Sequence, residues 1–204
     1  MSTTTPTDRP AAAGVPLGTT DDPASPESRL LTAALVVAPL VYLAADSTYA
    51  ARGWDDGTAG VLHVLGAVGY GFVVLRVARA LPAGSRLRAA LVLVGLLGMA
   101  GNVAYGFEAI HMSWGDVQLV DRTGAASLIK PLGLCFPASL ALAAVALARV
   151  GARWQAAVVL VATLGWPVAH IGNLPAVAVP VNIALVVALG SLARAGARGR
   201  AESD

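Results

Sequence analysis

Two carboxylates, three histidines, three asparagines and the chain's single lysine sit within or at the ends of otherwise apolar stretches. They are Asp46 and Glu108; His63, His111 and His170; Asn102, Asn173 and Asn182; and Lys130. Brought together in an apolar pocket, these groups have a definite chemistry. A carboxylic acid can donate a proton there, and a neighbouring carboxylate or imidazole can accept one. Asp46 and Glu108 are therefore candidate acids, with His63, His111 and His170 as bases or orienting groups. Asn102, Tyr105, Lys130, Trp166, Asn173 and Asn182 are candidate substrate contacts. That set suits isomerisation, cyclisation or hydrolysis of a hydrophobic molecule.

Spacing places these residues on shared helix faces, because positions three, four or seven apart lie on one side of a helix. Tyr42, Asp46 and Tyr49 form one such stripe, and His63 and Tyr70 another. Asn102 and Tyr105 continue toward Glu108 and His111, and Trp166 lies one turn before His170 and Asn173. At least four helices thus each offer one polar stripe. An ionisable group inside a membrane span costs roughly 2.5–3.5 kcal/mol on insertion scales, so by default it faces the bundle interior. Lys130, in a chain that otherwise uses arginine, is expected to pair with Asp46 or Glu108. Ser47, beside Asp46, gives only a weak hydrolase signal and equally suits a helix-end cap.

The elements that must position these groups are membrane helices. Hydrophobic residues make up 56% of the chain and charged residues 13%, about half the charge of an ordinary soluble domain. Six apolar runs of about span length cover Leu30–Tyr49, Ala59–Leu75, Ala89–Glu108, Leu128–Ala148, Trp154–Gly172 and Leu174–Ala193. They are continuously apolar rather than alternating, which excludes barrel strands. The predicted fold class is an all-α integral membrane protein, a bundle of about six transmembrane helices. Pro39, Pro137, Pro167 and Pro180 fall inside spans, where they are expected to kink the helices and where neighbouring helices can satisfy the freed carbonyls. Gly66, Gly69, Gly71, Gly95, Gly98 and Gly101 permit close helix approach, within one chain or between copies.

Arginines orient the bundle. Arg76, Arg79, Arg86, Arg88, Arg149 and Arg153 lie in two loops, and Arg194, Arg198 and Arg200 follow the last span; the alternate loops carry Asp55, Asp56, Asp116 and Asp121. The positive-inside rule then puts both termini in the cytoplasm and the polar residues near the opposite face. Three parts are expected: a disordered Thr/Ser/Pro/Asp-rich tail over 1–28 that is not a signal peptide, a membrane domain over 29–194, and a short basic tail over 195–204. The long connection Ile110–Gly124 is expected to form an interfacial helix or a lid.

Composition also excludes functions. A formal charge of +2 with dispersed arginines gives no nucleic-acid surface. One cysteine, Cys135, allows neither an internal disulfide nor a cysteine metal site. No phosphate-binding glycine loop, dinucleotide fingerprint or nucleophile elbow is present. The expected partners are the lipid bilayer, a lipophilic small molecule and a further copy of the chain. The Ala/Val/Leu/Gly/Arg bias suggests a bacterial plasma membrane, and the cofactor is undetermined. Two alternatives stay open: haem or metal ligation by His63, His111 and His170, limited to one haem by the histidine count, and a small-solute carrier or non-catalytic assembly partner.

Overall fold

The computed structural model describes residues 25–201, with side chains to residue 194. Every regular element among them is a helix, and six are long and apolar enough to cross a membrane. The reading of 1–28 as a tail falls outside the described residues up to residue 24.

Local chemistry sets the boundaries. The Ser25 side chain accepts from the Ser28 N–H at 3.1 Å and Pro26 takes the first position, so α1 runs Pro26–Arg52. Asp56 caps α2 (Gly57–Arg79) by accepting from Ala59 N–H at 2.9 Å, and Ser85 caps α3 (Arg86–Met112). A 3-10 turn, Gly124–Leu128, leads into α4 (Ile129–Arg149). Then follow α5 (Arg153–Ile171) and α6 (Pro175–Ala201). The α5–α6 turn rests on Asn173, the one non-glycine described residue in the left-handed region, at φ 52°. The N–H after it, of Leu174, reaches back to the Ala169 carbonyl at 2.8 Å, the pattern that closes a helix when the residue past its end is left-handed. Asparagine tolerates that conformation better than most side chains.

The helices form a closed ring. Each packs against its neighbours in sequence, α6 returns to α1, and α2 also touches α4 across the middle. One end carries the α2–α3 and α4–α5 turns with Arg76, Arg79, Arg86, Arg88, Arg149 and Arg153. It is filled by Leu31, Val77, Leu91, Leu147, Val159 and Leu189, all buried. In mid-bundle Tyr42 stacks on Phe136 with ring centroids 5.7 Å apart, and Tyr70 stands edge-on to both. Trp166 packs on Phe136 at 5.5 Å. These offset and edge-to-face contacts close the bundle one turn below the polar residues.

The glycines work inside the chain. A Cβ on Gly66 would meet Tyr42, on Gly69 Ala38, on Gly95 Val74, and on Gly98 the backbone of Cys135 and Phe136. Outward, Val37, Leu65, Leu93, Val161, Leu164 and Val187 are each more than half exposed. An apolar surface of that extent is what lipid, not water, would cover, and six such helices suggest a membrane protein.

Three expectations change. Ser47 lies inside α1, five residues before its end, on an exposed position, so it neither caps the helix nor joins Asp46 inside. No helix spans the middle of the α3–α4 connection; its helical turn comes later, at Gly124–Leu128. The sixth helix continues to Ala201, past the expected boundary at 194.

Candidate functional site

At the end opposite the arginine-bearing turns lies a cavity of about 660 Å³. Asp46 and Tyr49 enter from α1, Trp54 and Asp55 from the α1–α2 turn, and Gly60 and His63 from α2. Asn102, Tyr105 and Glu108 come from α3, Gln118, Val120 and Asp121 from the long connection, Lys130 and Gly133 from α4, Trp166 and His170 from α5, and Asn173 from the α5–α6 turn. The connection thus forms cavity wall, as expected of a lid, although it is not helical.

Two hydrogen-bonded clusters organise the wall. In the first, the Asn102 amide nitrogen donates to the Gly98 carbonyl at 3.1 Å, which turns Asn102 Oδ1 toward Tyr42. The Tyr42 hydroxyl donates to that oxygen at 2.7 Å. Its only proton is thereby used, so the contact at 2.9 Å between Tyr42 Oη and His63 Nε2 requires the imidazole to donate. His63 Nε2 also lies 3.3 Å from Asn102 Oδ1. The neutral ring therefore carries its proton on Nε2, and Nδ1, which has no hydrogen bond among the described residues, is a free base at the cavity.

In the second cluster the histidine tautomer is reversed. His170 Nδ1 lies 3.1 Å from the Trp166 carbonyl, which can only accept, so Nδ1 holds a proton. Its Nε2 lies 3.2 Å from Asp46 Oδ2, and both residues are buried. Nε2 has no aligned hydrogen-bond partner there, so a buried carboxylate and an unbonded ring nitrogen face one another across a short gap. Asn182 Nδ2 donates to the same Asp46 oxygen at 2.5 Å while anchored to the Ala178 carbonyl at 3.2 Å. Asp46 Oδ1 is left without a hydrogen bond among the described residues. The Trp166 ring stacks on His170 at 4.3 Å and fixes its plane.

The structure thus brings Asp46, His63, Asn102, His170 and Asn182 together, with Tyr105, Trp166 and Asn173 around the same space. Asn182 lies behind Asp46 and is not part of the wall, so its position is that of an orienting group rather than of a substrate contact. Glu108 is buried, but Oε1 accepts the backbone N–H groups of Leu119 and Val120 at 2.6 and 3.3 Å, which ties the connection to α3; Oε2 has no partner. His111 lies outside the cavity wall, with Nδ1 3.4 Å from Asp116. Lys130 pairs with Asp121 at 2.7 Å on the exposed rim, not with Asp46 or Glu108. The loop supplies a nearer carboxylate than either helix, and an exposed pair avoids the desolvation a buried one costs. The three histidines accordingly do not converge, and no described group of three His, Cys, Asp or Glu side chains could hold a metal ion.

Sequence reasoning placed Tyr42 and Tyr49 on the polar stripe with Asp46 but gave neither a role, and Tyr42 proves to be the hub of the first cluster. It missed Trp54, whose ring meets that of Tyr49 at 4.0 Å at the mouth.

The Glu108 anchor has a direct readout. Hydrogen bonds to a charged acceptor are worth about 1.5–3 kcal/mol. Glu108→Ala should therefore speed amide exchange at Leu119 and Val120 by roughly ten- to a hundredfold, with little change in helix α1. Unchanged exchange at those two amides would show that the connection is held by something else.

Comparison with protein-family models, with curated proteins and with solved structures found no match to this chain.

Proposed function

We propose that this chain is a multi-pass plasma-membrane protein of bacterial type, with both termini cytoplasmic, and that it catalyses acid–base chemistry on a lipophilic small molecule held in the cavity. The carrying observation is that two imidazoles anchored through opposite ring nitrogens flank one space, one of them beside a buried carboxylate. Asp46 beside His170 is placed to give a proton, and His63 presents a bare Nδ1 to receive one. Arginine placement supports the orientation, and the outward apolar surface supports insertion.

The reaction class follows from the proton balance. The Asp46–His170 pair adds one proton to the substrate, and His63 Nδ1 removes one from another position. The sum consumes no oxidant and needs no attacking nucleophile. That is the balance of an isomerisation or a cyclisation, which these groups serve better than hydrolysis. Asn102, Tyr42 and Asn182 hold the tautomers and ring planes that make the transfer directional. A carrier reading fits less well, because alternating access wets both halves in turn, whereas aromatic rings close the middle of the bundle and aliphatic side chains fill the arginine-bearing end.

The test compares lipid extracts, by liquid chromatography and mass spectrometry, from hosts making the wild-type chain or His63→Ala. The expected result is a lipophile whose double-bond position or ring count changes at constant mass only with the wild type. Extracts identical between the two hosts would refute the reading.

A further inference from the structure

The charges around the cavity do not cancel. Four carboxylates line it, Asp46, Asp55, Glu108 and Asp121, against one lysine. Lys130 pairs with Asp121, and Asp46 accepts from Asn182 and lies beside His170. Asp55 at the mouth and Glu108 within the wall remain. Glu108 is only 6% exposed, and its Oε2 is buried with no hydrogen-bond partner. A carboxylate held in so buried a position, with the protein's own lysine engaged elsewhere, favours positive charge in the adjoining cavity.

Aromatic rings line the same cavity. Tyr49 and Trp54 meet edge to face at the mouth, and Tyr105 packs against Gly133 where a side chain would collide with its ring. The faces of such rings attract cations, tryptophan most strongly, and quaternary ammonium groups are recognised by combining several of them. Leu134 and Ile171 also line the cavity while standing 49% and 68% exposed on the outer surface. The wall between α4 and α5 is thus apolar on both sides, a route for a hydrophobic body.

We propose that the cavity selects a lipophilic organic cation, an amine or quaternary ammonium group on an apolar body, with its charge between Glu108, Asp55 and the rings of Trp54, Tyr49 and Tyr105. The proposal rests on the catalytic reading above and names its substrate class. The head group occupies the acidic, aromatic side, and the apolar body extends past Asp46 and His63 toward Leu134 and Ile171.

The experiment measures binding to the full chain in phosphatidylcholine nanodiscs, with empty nanodiscs as reference. The probes are trimethyldodecylammonium and its uncharged counterpart dodecan-1-ol. The cation should bind at least about tenfold more tightly than the alcohol. Glu108→Gln, whose amide oxygen can still accept from Leu119 and Val120, should lower cation affinity about tenfold and leave the alcohol unchanged. Trp54→Leu should do likewise, with Trp54→Phe recovering most of the loss. Protection of the Leu119 and Val120 amides reports that Glu108→Gln keeps the loop in place. Equal binding of both probes, or variants that weaken them alike, would overturn the proposal while leaving the proton chemistry standing. Selective cation binding together with host extracts indifferent to His63→Ala would sink the catalytic reading alone.

Discussion

Asp46→Asn should abolish turnover while leaving the fold nearly untouched. The expected loss is roughly 100- to 10,000-fold, the range that a positioned proton donor contributes. The reasoning is local. Asp46 Oδ2 accepts from Asn182 and faces the Nε2 of a His170 ring whose other nitrogen is bound to the Trp166 carbonyl. An asparagine there keeps its oxygen where Oδ2 stands, accepting from Asn182, because an amide nitrogen at that position would oppose the Asn182 donor. The Asn182 bond and the volume are kept, His170 Nε2 is as unbonded as before, and the acid is gone. Thermal stability should therefore shift by less than about 1 kcal/mol. Asp46→Leu makes the contrast. It removes one of two acceptors for Asn182 and sets an apolar branch against His170 Nε2, which should cost about 1–3 kcal/mol. His170→Phe keeps a ring to stack on Trp166 but removes the imidazole beside the acid, so it should lose activity with the asparagine variant. The measurement is the ratio of product to substrate lipophile in membranes, alongside detergent melting curves. Product formation by Asp46→Asn at the wild-type rate would exclude the pair as proton donor.

How much of this was legible beforehand differs by level. The six helices were, because a run of about twenty apolar residues admits few other readings, and the observed helices contain or closely match the expected spans. Depth was legible too. Asn102 lies at the inner end of its polar stripe, Asp46 one turn outside Tyr42 and His63 two turns outside Tyr70, and the structure collects them. Partner identity was not. Lys130 was expected to reach Asp46 or Glu108, yet Asp121, nine residues before it in an irregular loop, is the acid it meets. Helical periodicity says nothing about where a loop places a carboxylate. The same holds for Glu108, whose partners are backbone N–H groups of that loop. His111 shares a helix face with Glu108, but one further turn carries it past the cavity to Asp116. Tautomers lay still further out of reach, because they follow from which carbonyl or amide lies beside each ring nitrogen.

One substitution, glycine to alanine, should act with opposite signs at two positions, and the difference tests what holds the site together. At Gly101 a Cβ would collide with backbone atoms of Leu132 and Gly133, so α3 and α4 touch main chain to main chain there. Nothing flexible can yield. Small residues permit this approach, and forcing the helices apart should cost about 3 kcal/mol or more, the upper range for overpacking. The damage should also reach the chemistry. Asn102 follows Gly101 directly, and Tyr105 one turn on rests against Gly133. Separating α3 from α4 therefore displaces the acceptor that fixes Tyr42 and His63. Gly190 in α6 has nothing within 4 Å of the same added atom. Alanine there should stabilise by about 0.5–1 kcal/mol through helix propensity alone. Melting curves of Gly101→Ala and Gly190→Ala, measured side by side in detergent, should therefore move in opposite directions. If Gly101→Ala melts with the wild type, α3 and α4 do not approach so closely, and the positioning of Asn102 must be sought in another contact.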